Sequence, residues 1–300
     1  MELPLVLSPS IRMRIGSTSK QFTCFAYLLL CEEGKARVDD QIGMYFPELH
    51  AVTRQPTIGQ LMGNTSGLRD AWNLKWQFSG VCGARLESRE LLSFYRELDD
   101  VHFPPGAGWS YNNAGYELVA LAIERITGRS FSEVLRERVF GPIGMYDTIL
   151  RAWDSELVGN CALPHVRAPN GQFERASWEI NPLGAGAVVS TVNDMLRWLD
   201  HMEMPTVGSP ETWSTMKAPQ RLSDGTPVPF GLSLFLGRYR GFEAFCAPGG
   251  WLGANAQMVK VPAAGLDVAV LVNRHDVSSS VLADRVLDAC LPSSPGKGAA

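Results

Sequence analysis

The chain has 300 residues, 45% of them hydrophobic, with a formal net charge of −4 and a pI near 5.8. That is enough apolar material for a large core in one domain or two lobes, and no Lys/Arg run stands out, so the composition argues against a nucleic-acid partner or an acidic membrane surface. No segment stays apolar for 18 residues, and residues 1–14 lack a basic stretch followed by an apolar core, which points to a cytoplasmic protein without membrane attachment.

Residues 1–15 carry few structural signals. Residues 16–31 read as one buried helix, nearly all apolar from 22 to 31, that ends at Glu32-Glu33-Gly34, with Gly34 suited to the left-handed position after it. Ser17 and Lys20, three apart at the mouth of this helix, fall within one turn of each other at its positive end. Residues 38–42 and 45–49 read as turn and loop, and residues 57–62 as a short helix closed by Gly63. Residues 70–80 are rich in aromatics, and residues 88–98 have helical spacing. The turn Phe103-Pro104-Pro105-Gly106 introduces Trp109-Ser110-Tyr111-Asn112-Asn113.

A helix follows over 116–127, stopped by Gly128, and another over 132–140, ending at Gly141-Pro142. Residues 150–182 are polar and irregular. The glycine-rich residues 184–191 lead into a helix over 192–202, with Thr191 and Asp194 set as a partial capping box. Strands are expected at 230–238, 242–247, 254–261 and 266–273, with Pro262-Ala263-Ala264-Gly265 as the clearest turn, then a helix at 279–290. Helices in the middle and strands at the end give an α+β class: an antiparallel β-sheet flanked by helices plus a mostly helical lobe. The expected organisation is a single unit over 1–300, with a sheet lobe of about 1–16 and 205–300 and a helical lobe of about 17–204.

A serine hydroxyl is a weak nucleophile until a base takes its proton, and a lysine serves as that base only when its pKa falls from roughly 10.4 toward about 7 to 8. Ser-x-x-Lys occurs at Ser17/Lys20, Ser214/Lys217 and Ser294/Lys297. The last lies in a Pro/Gly/Ser tail and the second precedes Ala218-Pro219, so only the first opens an apolar helix. Three pieces can converge with it: the Ser17/Lys20 helix mouth, the Tyr111-Asn112-Asn113 turn, and Pro248-Gly249-Gly250, read as a glycine-rich break between two strands. Tyr111 is suited to relay a proton, and Asn113 to hold either the substrate or the lysine. The cysteines Cys24, Cys31, Cys82, Cys161, Cys246 and Cys290 form no C-x-x-C pair and read as reduced thiols. No His/Asp/Glu group has metal-ligand spacing, and no cofactor is implied.

With these residues in view, the chain resembles the penicillin-recognising serine hydrolases, and within them the D-aminopeptidase group, which is similar to class C β-lactamases and related esterases. The resemblance rests on Ser17-Thr18-Ser19-Lys20-Gln21-Phe22-Thr23-Cys24 and Tyr111-Asn112-Asn113. It is supported by Asn64-Thr65-Ser66-Gly67-Leu68-Arg69-Asp70, Cys82-Gly83-Ala84, Phe103-Pro104-Pro105-Gly106 and Pro229-Phe230-Gly231-Leu232, in order from about residue 12 to 290. It implies a β-lactamase/transpeptidase-like fold and an acyl-enzyme mechanism. Ser17 would attack a carbonyl, Lys20 and Tyr111 would share proton transfer, and Asn113 would position groups. The oxyanion would lie between the backbone N–H of Ser17 and that of Trp251, on the strand after Gly250, with Gly249 and Gly250 lining the substrate site. The implied substrate is a small molecule or short peptide with a free N-terminal D-amino acid.

Two departures shape the expectation. Where this family's third motif has Lys or His two positions before its glycine, the chain has Pro248; losing a charge-assisted hydrogen bond costs about 1.5 to 3 kcal/mol, roughly ten- to a hundredfold in rate. Relatives also have a helix and two strands before the Ser-x-x-Lys helix, whereas only residues 1–16 precede Ser17 here. A sheet without those strands exposes an apolar edge and invites a homo-oligomer, on a chain either begun too late or shortened. A short-chain esterase or weak β-lactamase, and a catalytically silent ligand-binding relative, stay open beside the D-aminopeptidase reading.

Overall fold

The computed structural model describes residues 6–79, 87–178 and 180–294, so the Cys82-Gly83-Ala84 match lies outside the described residues. A short strand, Met13–Arg14, leads into a 3-10 turn, Gly16–Ser19, that continues as helix α1 (Lys20–Glu32). The expectation of one helix carrying both site residues is corrected: Ser17 lies on the tighter turn and Lys20 opens α1. Gly16, at φ +52°, reverses the chain into that turn, and the Thr18 N–H bonds the Ile15 carbonyl three residues back. From Lys20 to Leu30 every residue of α1 is buried, and Gly34 takes the left-handed position expected of it.

Helix α2 (Ala114–Thr127) packs against α1 and is stopped by Gly128, also left-handed. The short helix Ile58–Met62 is capped by Thr57 and Gln60 in a reciprocal box, and the helix Glu90–Glu97 fills the expected 88–98 segment. Elsewhere the observed elements differ. Residues 38–49 contain a short helix, Ile42–Tyr45, and the helix expected over 132–140 is Phe131–Leu135 continued by a π-helical turn, Arg136–Phe140. The irregular middle holds a hairpin, His165–Arg167 with Phe173–Arg175. The glycine-rich lead-in holds Val188–Ser190, the central strand of a small antiparallel sheet between Met13–Arg14 and Ile149–Leu150. Helix α3 (Val192–His201) is capped by Thr191, whose Oγ1 accepts the Asp194 N–H at 3.1 Å.

The last third is an antiparallel meander of β1 (Phe235–Tyr239), β2 (Phe242–Trp251), β3 (Ala254–Val261) and β4 (Leu266–Val272), paired in that order. The 3-10 turn Pro262–Ala264 joins β3 to β4, and helix α4 (Ser279–Cys290) packs across both. β1 starts at Phe235 rather than 230, after a kink at Ser233 with φ +62°, and a two-stranded ladder, Gln220–Arg221 with Pro227–Val228, precedes it.

Pro248-Gly249-Gly250 is not a break, because β2 runs through it to Trp251. β1 pairs no further than Cys246, so Pro248 faces no β1 strand, and proline is tolerated on a strand with an open side. The glycines answer to a backbone approach: a Cβ on Gly249 would sit 1.8 Å from the Ile15 carbonyl oxygen, and one on Gly16 would sit 2.3 Å from the Gly250 oxygen. That contact brings the end of β2 beside Ser17.

Candidate active site

The turn carrying Ser17 is pinned on two sides. Thr18 Oγ1 donates to the Ala247 carbonyl of β2 at 3.0 Å, and Ser19 Oγ accepts the Val188 N–H at 3.2 Å. Lys20, only 2% exposed, leaves the first turn of α1 and donates to three oxygens: Ser17 Oγ at 2.8 Å, Asn113 Oδ1 at 2.9 Å and the Ala185 carbonyl at 2.8 Å. Nζ thus sits among three oxygens, and a neutral amine there can donate to two of them while accepting from the Ser17 hydroxyl, the arrangement in which a lysine serves as a base. Its Nζ also stands 5.0 Å from the Tyr111 ring centre and 5.3 Å from that of Tyr116, within cation–π range.

The Tyr111-Asn112-Asn113 segment is moulded by residues 64–70. Asn64, left-handed at φ +59°, accepts the Ser110 N–H on its carbonyl and the Asn112 N–H on its side chain. Asn112 Nδ2 reaches the Leu68 carbonyl at 2.7 Å. Buried Asp70 accepts both the backbone N–H (3.0 Å) and the side-chain Nδ2 (3.2 Å) of Asn113 on one oxygen, and the Trp72 N–H on the other. With its amide nitrogen committed to Asp70, Asn113 has its oxygen left for Lys20.

Ser17, Tyr111, Gly250 and Trp251 stand where two arms of a cleft meet. The wide arm, about 670 Å³, is lined by Pro248, Gly249, Asn255, His275 and Asp276 among others. The narrow arm, about 190 Å³, is walled by Trp72, Trp178 and Trp251, with Asn113 and Ala185 in its lining. Its wall is braced from behind by a buried ion pair, Arg14 with Asp154 at 2.8 Å. Asp154 Oδ2 accepts from the Trp251 indole at 3.0 Å and from the Trp178 backbone at 2.8 Å, while the Arg14 guanidinium stacks 4.5 Å from the Trp251 ring centre.

Ser17, Lys20 and Asn113 are thus joined directly by hydrogen bonds, Tyr111 stacks on Lys20, and Gly249, Gly250 and Trp251 border the cleft. Sequence reasoning missed Asp70, Glu117, the Ala185 carbonyl, and the tryptophans Trp72 and Trp178. Asp70 stood at the end of a motif picked out only by likeness. The fold explains the glycine next to Ala185: a Cβ on Gly184 would lie 2.1 Å from the Tyr116 carbonyl oxygen. Among the described residues no group of three or more His, Cys, Asp or Glu could hold a metal ion, and no helix is long and apolar enough to cross a membrane. The described cysteines, Cys24, Cys31, Cys161, Cys246 and Cys290, are unbridged.

Comparison with known proteins agrees with this architecture. A D-aminopeptidase of Brucella canis is 32% identical over 232 residues, and one of Brucella anthropi is 33% identical over 233; each alignment covers 76% of this chain and 43% of the relative. The chain therefore spans under half the length of the curated relatives it matches. The octameric penicillin-binding protein homologue from Pyrococcus abyssi shares the fold at a TM-score of 0.85 and 21% identity, over 96% of this chain and 68% of that one. The D-amino acid amidase from Ochrobactrum anthropi, solved with L-phenylalanine amide, matches at 0.79 and 25% identity, over 95% and 86%. The family described as Beta-lactamase matches residues 7–291, nearly the whole sequence, and the chain belongs to that family.

Proposed function

We propose that this chain is a serine hydrolase that forms an acyl-enzyme on Ser17 and cleaves the amide bond of a D-amino acid amide or short peptide. The observation that carries the reading is the 2.8 Å bond between Ser17 Oγ and buried Lys20 Nζ at the junction of the two arms. Ser17 Oγ attacks the carbonyl carbon, and its proton passes to the Lys20/Tyr111 pair and on to the departing amine. The tetrahedral oxyanion is held by the backbone N–H groups of Ser17 and Trp251, and water then releases the acyl group from Ser17. The narrow tryptophan-walled arm suits an apolar side chain on the acyl part, and the wide arm suits the leaving group. The D-aminopeptidase relatives support the choice of substrate.

A fluorophosphonate should label the intact protein and leave Ser17→Ala unlabelled; equal labelling of both overturns the assignment. One observation favours an esterase as a second reading. Pro248 offers no donor at the mouth of the wide arm, and an alcohol leaving group needs less proton assistance than an amine. Parallel rates on D-alanine p-nitroanilide, p-nitrophenyl butyrate and nitrocefin separate the readings. We propose in addition that the chain self-associates through the outer edge of β4, on which no strand is paired among the described residues.

A further inference from the structure

Glu117 lies on α2 next to Tyr116 and is completely buried, yet nothing in the reaction above uses it. Its carboxylate gathers three donors. Oε2 accepts from Ser88 Oγ at 2.5 Å and from the Gly184 N–H at 3.2 Å, and Oε1 accepts from the Ala185 N–H at 3.0 Å. The carbonyls of the same two residues face the other way, toward α1: Thr23 Oγ1 donates to Gly184 at 2.7 Å, and Lys20 Nζ donates to Ala185 at 2.8 Å. Two peptides are therefore clamped between α2 and α1, with a carboxylate on their N–H side and the lysine beside Ser17 on their carbonyl side.

We propose that Glu117 is a positioning residue for Lys20, acting through Gly184 and Ala185, and that it does so in its ionised form. This rests on Ser17 being the nucleophile. A carboxylate bonded to a peptide N–H polarises that peptide and strengthens its carbonyl as an acceptor, so the charge on Glu117 tightens the Ala185–Lys20 bond.

Burial pushes the Glu117 carboxyl up to about 7, against the pull of Ser88, the two N–H groups and the charge of Lys20. The groups that face it are Lys20 from α1, Ser88, and Tyr95 from the helix Glu90–Glu97; burial holds the phenol of Tyr95 well above the ordinary tyrosine range, hence neutral. The protonated form has an outlet. Ser88 Oγ is also 2.9 Å from the Asn181 carbonyl, so its proton can swing there while Glu117 donates to the serine oxygen. The clamp on Gly184 then loosens. Activation of Ser17 should accordingly fall as pH drops through about 7.

The test is the second-order rate constant for labelling of Ser17 by a fluorophosphonate between pH 5.5 and 9. Wild-type protein should show a titration with a midpoint near 7. Glu117→Gln sets an amide N–H against one of the two peptide N–H groups, so labelling at pH 8.5 should drop about tenfold and that midpoint should vanish. Ser88→Ala keeps the carboxylate but removes a donor to its charged form, so the midpoint should rise by about half a unit or more.

Carbon-13 NMR of labelled glutamate reads the carboxyl without activity: one resonance should titrate near 7 in wild-type and Ser17→Ala protein and move upward in Ser88→Ala. A Glu117→Gln protein that keeps the wild-type midpoint, even at a lower rate throughout, would show a merely structural side chain and overturn the inference. So would a glutamate spectrum with no resonance titrating above the ordinary range. A wild-type protein with that resonance and no label on Ser17 would overturn the acyl-enzyme reading itself.

Discussion

Lys20 can reach Ser17 because each of its other bonds ends on an atom that is itself held. Asn113 is the clearer case: Asp70 takes its Nδ2, which holds Oδ1 toward Lys20. Replacing Asp70 by Asn puts a donor where an acceptor stood and frees the amide of Asn113 to turn. Asp70→Asn should therefore slow Ser17 labelling about tenfold while the protein still melts cooperatively; labelling at the wild-type rate would show that Asp70 does not orient Asn113. Ser17, Lys20 and Asn113 were legible in the sequence because their types and spacing carry chemistry. The Ala185 acceptor was not, since a backbone carbonyl leaves no mark on residue type. Asp70 gained its meaning only when folding set it against Asn113.

The junction of the 3-10 turn with β2 governs the site at the scale of elements. The backbone of residues 15–16 touches that of residues 249–250, so the two glycines of the strand have different tasks. A Cβ on Gly249 collides with the Ile15 oxygen, whereas one on Gly250 meets nothing within 4 Å. Gly249→Ala should cost more than about 2 kcal/mol and abolish labelling, whereas Gly250→Ala should keep the wild-type melting temperature and affect only substrate entry. Equal melting temperatures for both variants would contradict the close approach.

The same junction explains where element reading failed. Glycines in a strand suggested a break, but they mark backbone contact with a turn that lies far away in sequence. The strand Val188–Ser190 has only three residues, too few for any periodicity to reveal. The long apolar α1 was legible because its burial is unbroken over eleven residues, and β3 and β4 because runs of eight and seven residues rich in apolar side chains flank a clear turn.

At the scale of the molecule, the meander leaves β4 paired on one side only among the described residues. The strand is Leu266-Asp267-Val268-Ala269-Val270-Leu271-Val272, apolar but for Asp267, and α4 packed on it exposes Val281, Leu282 and Val286. An apolar strand of seven residues with no strand paired along one side is a template for another strand. Light scattering after gel filtration should find an assembly; a protein that runs as a monomer at every concentration would overturn pairing through this edge. The apolar character of this edge could be read from the sequence, but which side of β4 stays unpaired depends on strand order, which no local pattern encodes.

The unequal arms around Ser17 bear on what can follow acylation. If the acyl part stays wedged among the tryptophans while the first amine departs by the roomier passage, that passage is vacant when the ester bond to Ser17 is broken. Water must arrive through the same doorway as any competing amine, so the partition between hydrolysis and aminolysis is set by what crowds that entrance. Under the acyl-enzyme proposal, an acceptor amine in excess would compete with water for the ester on Ser17.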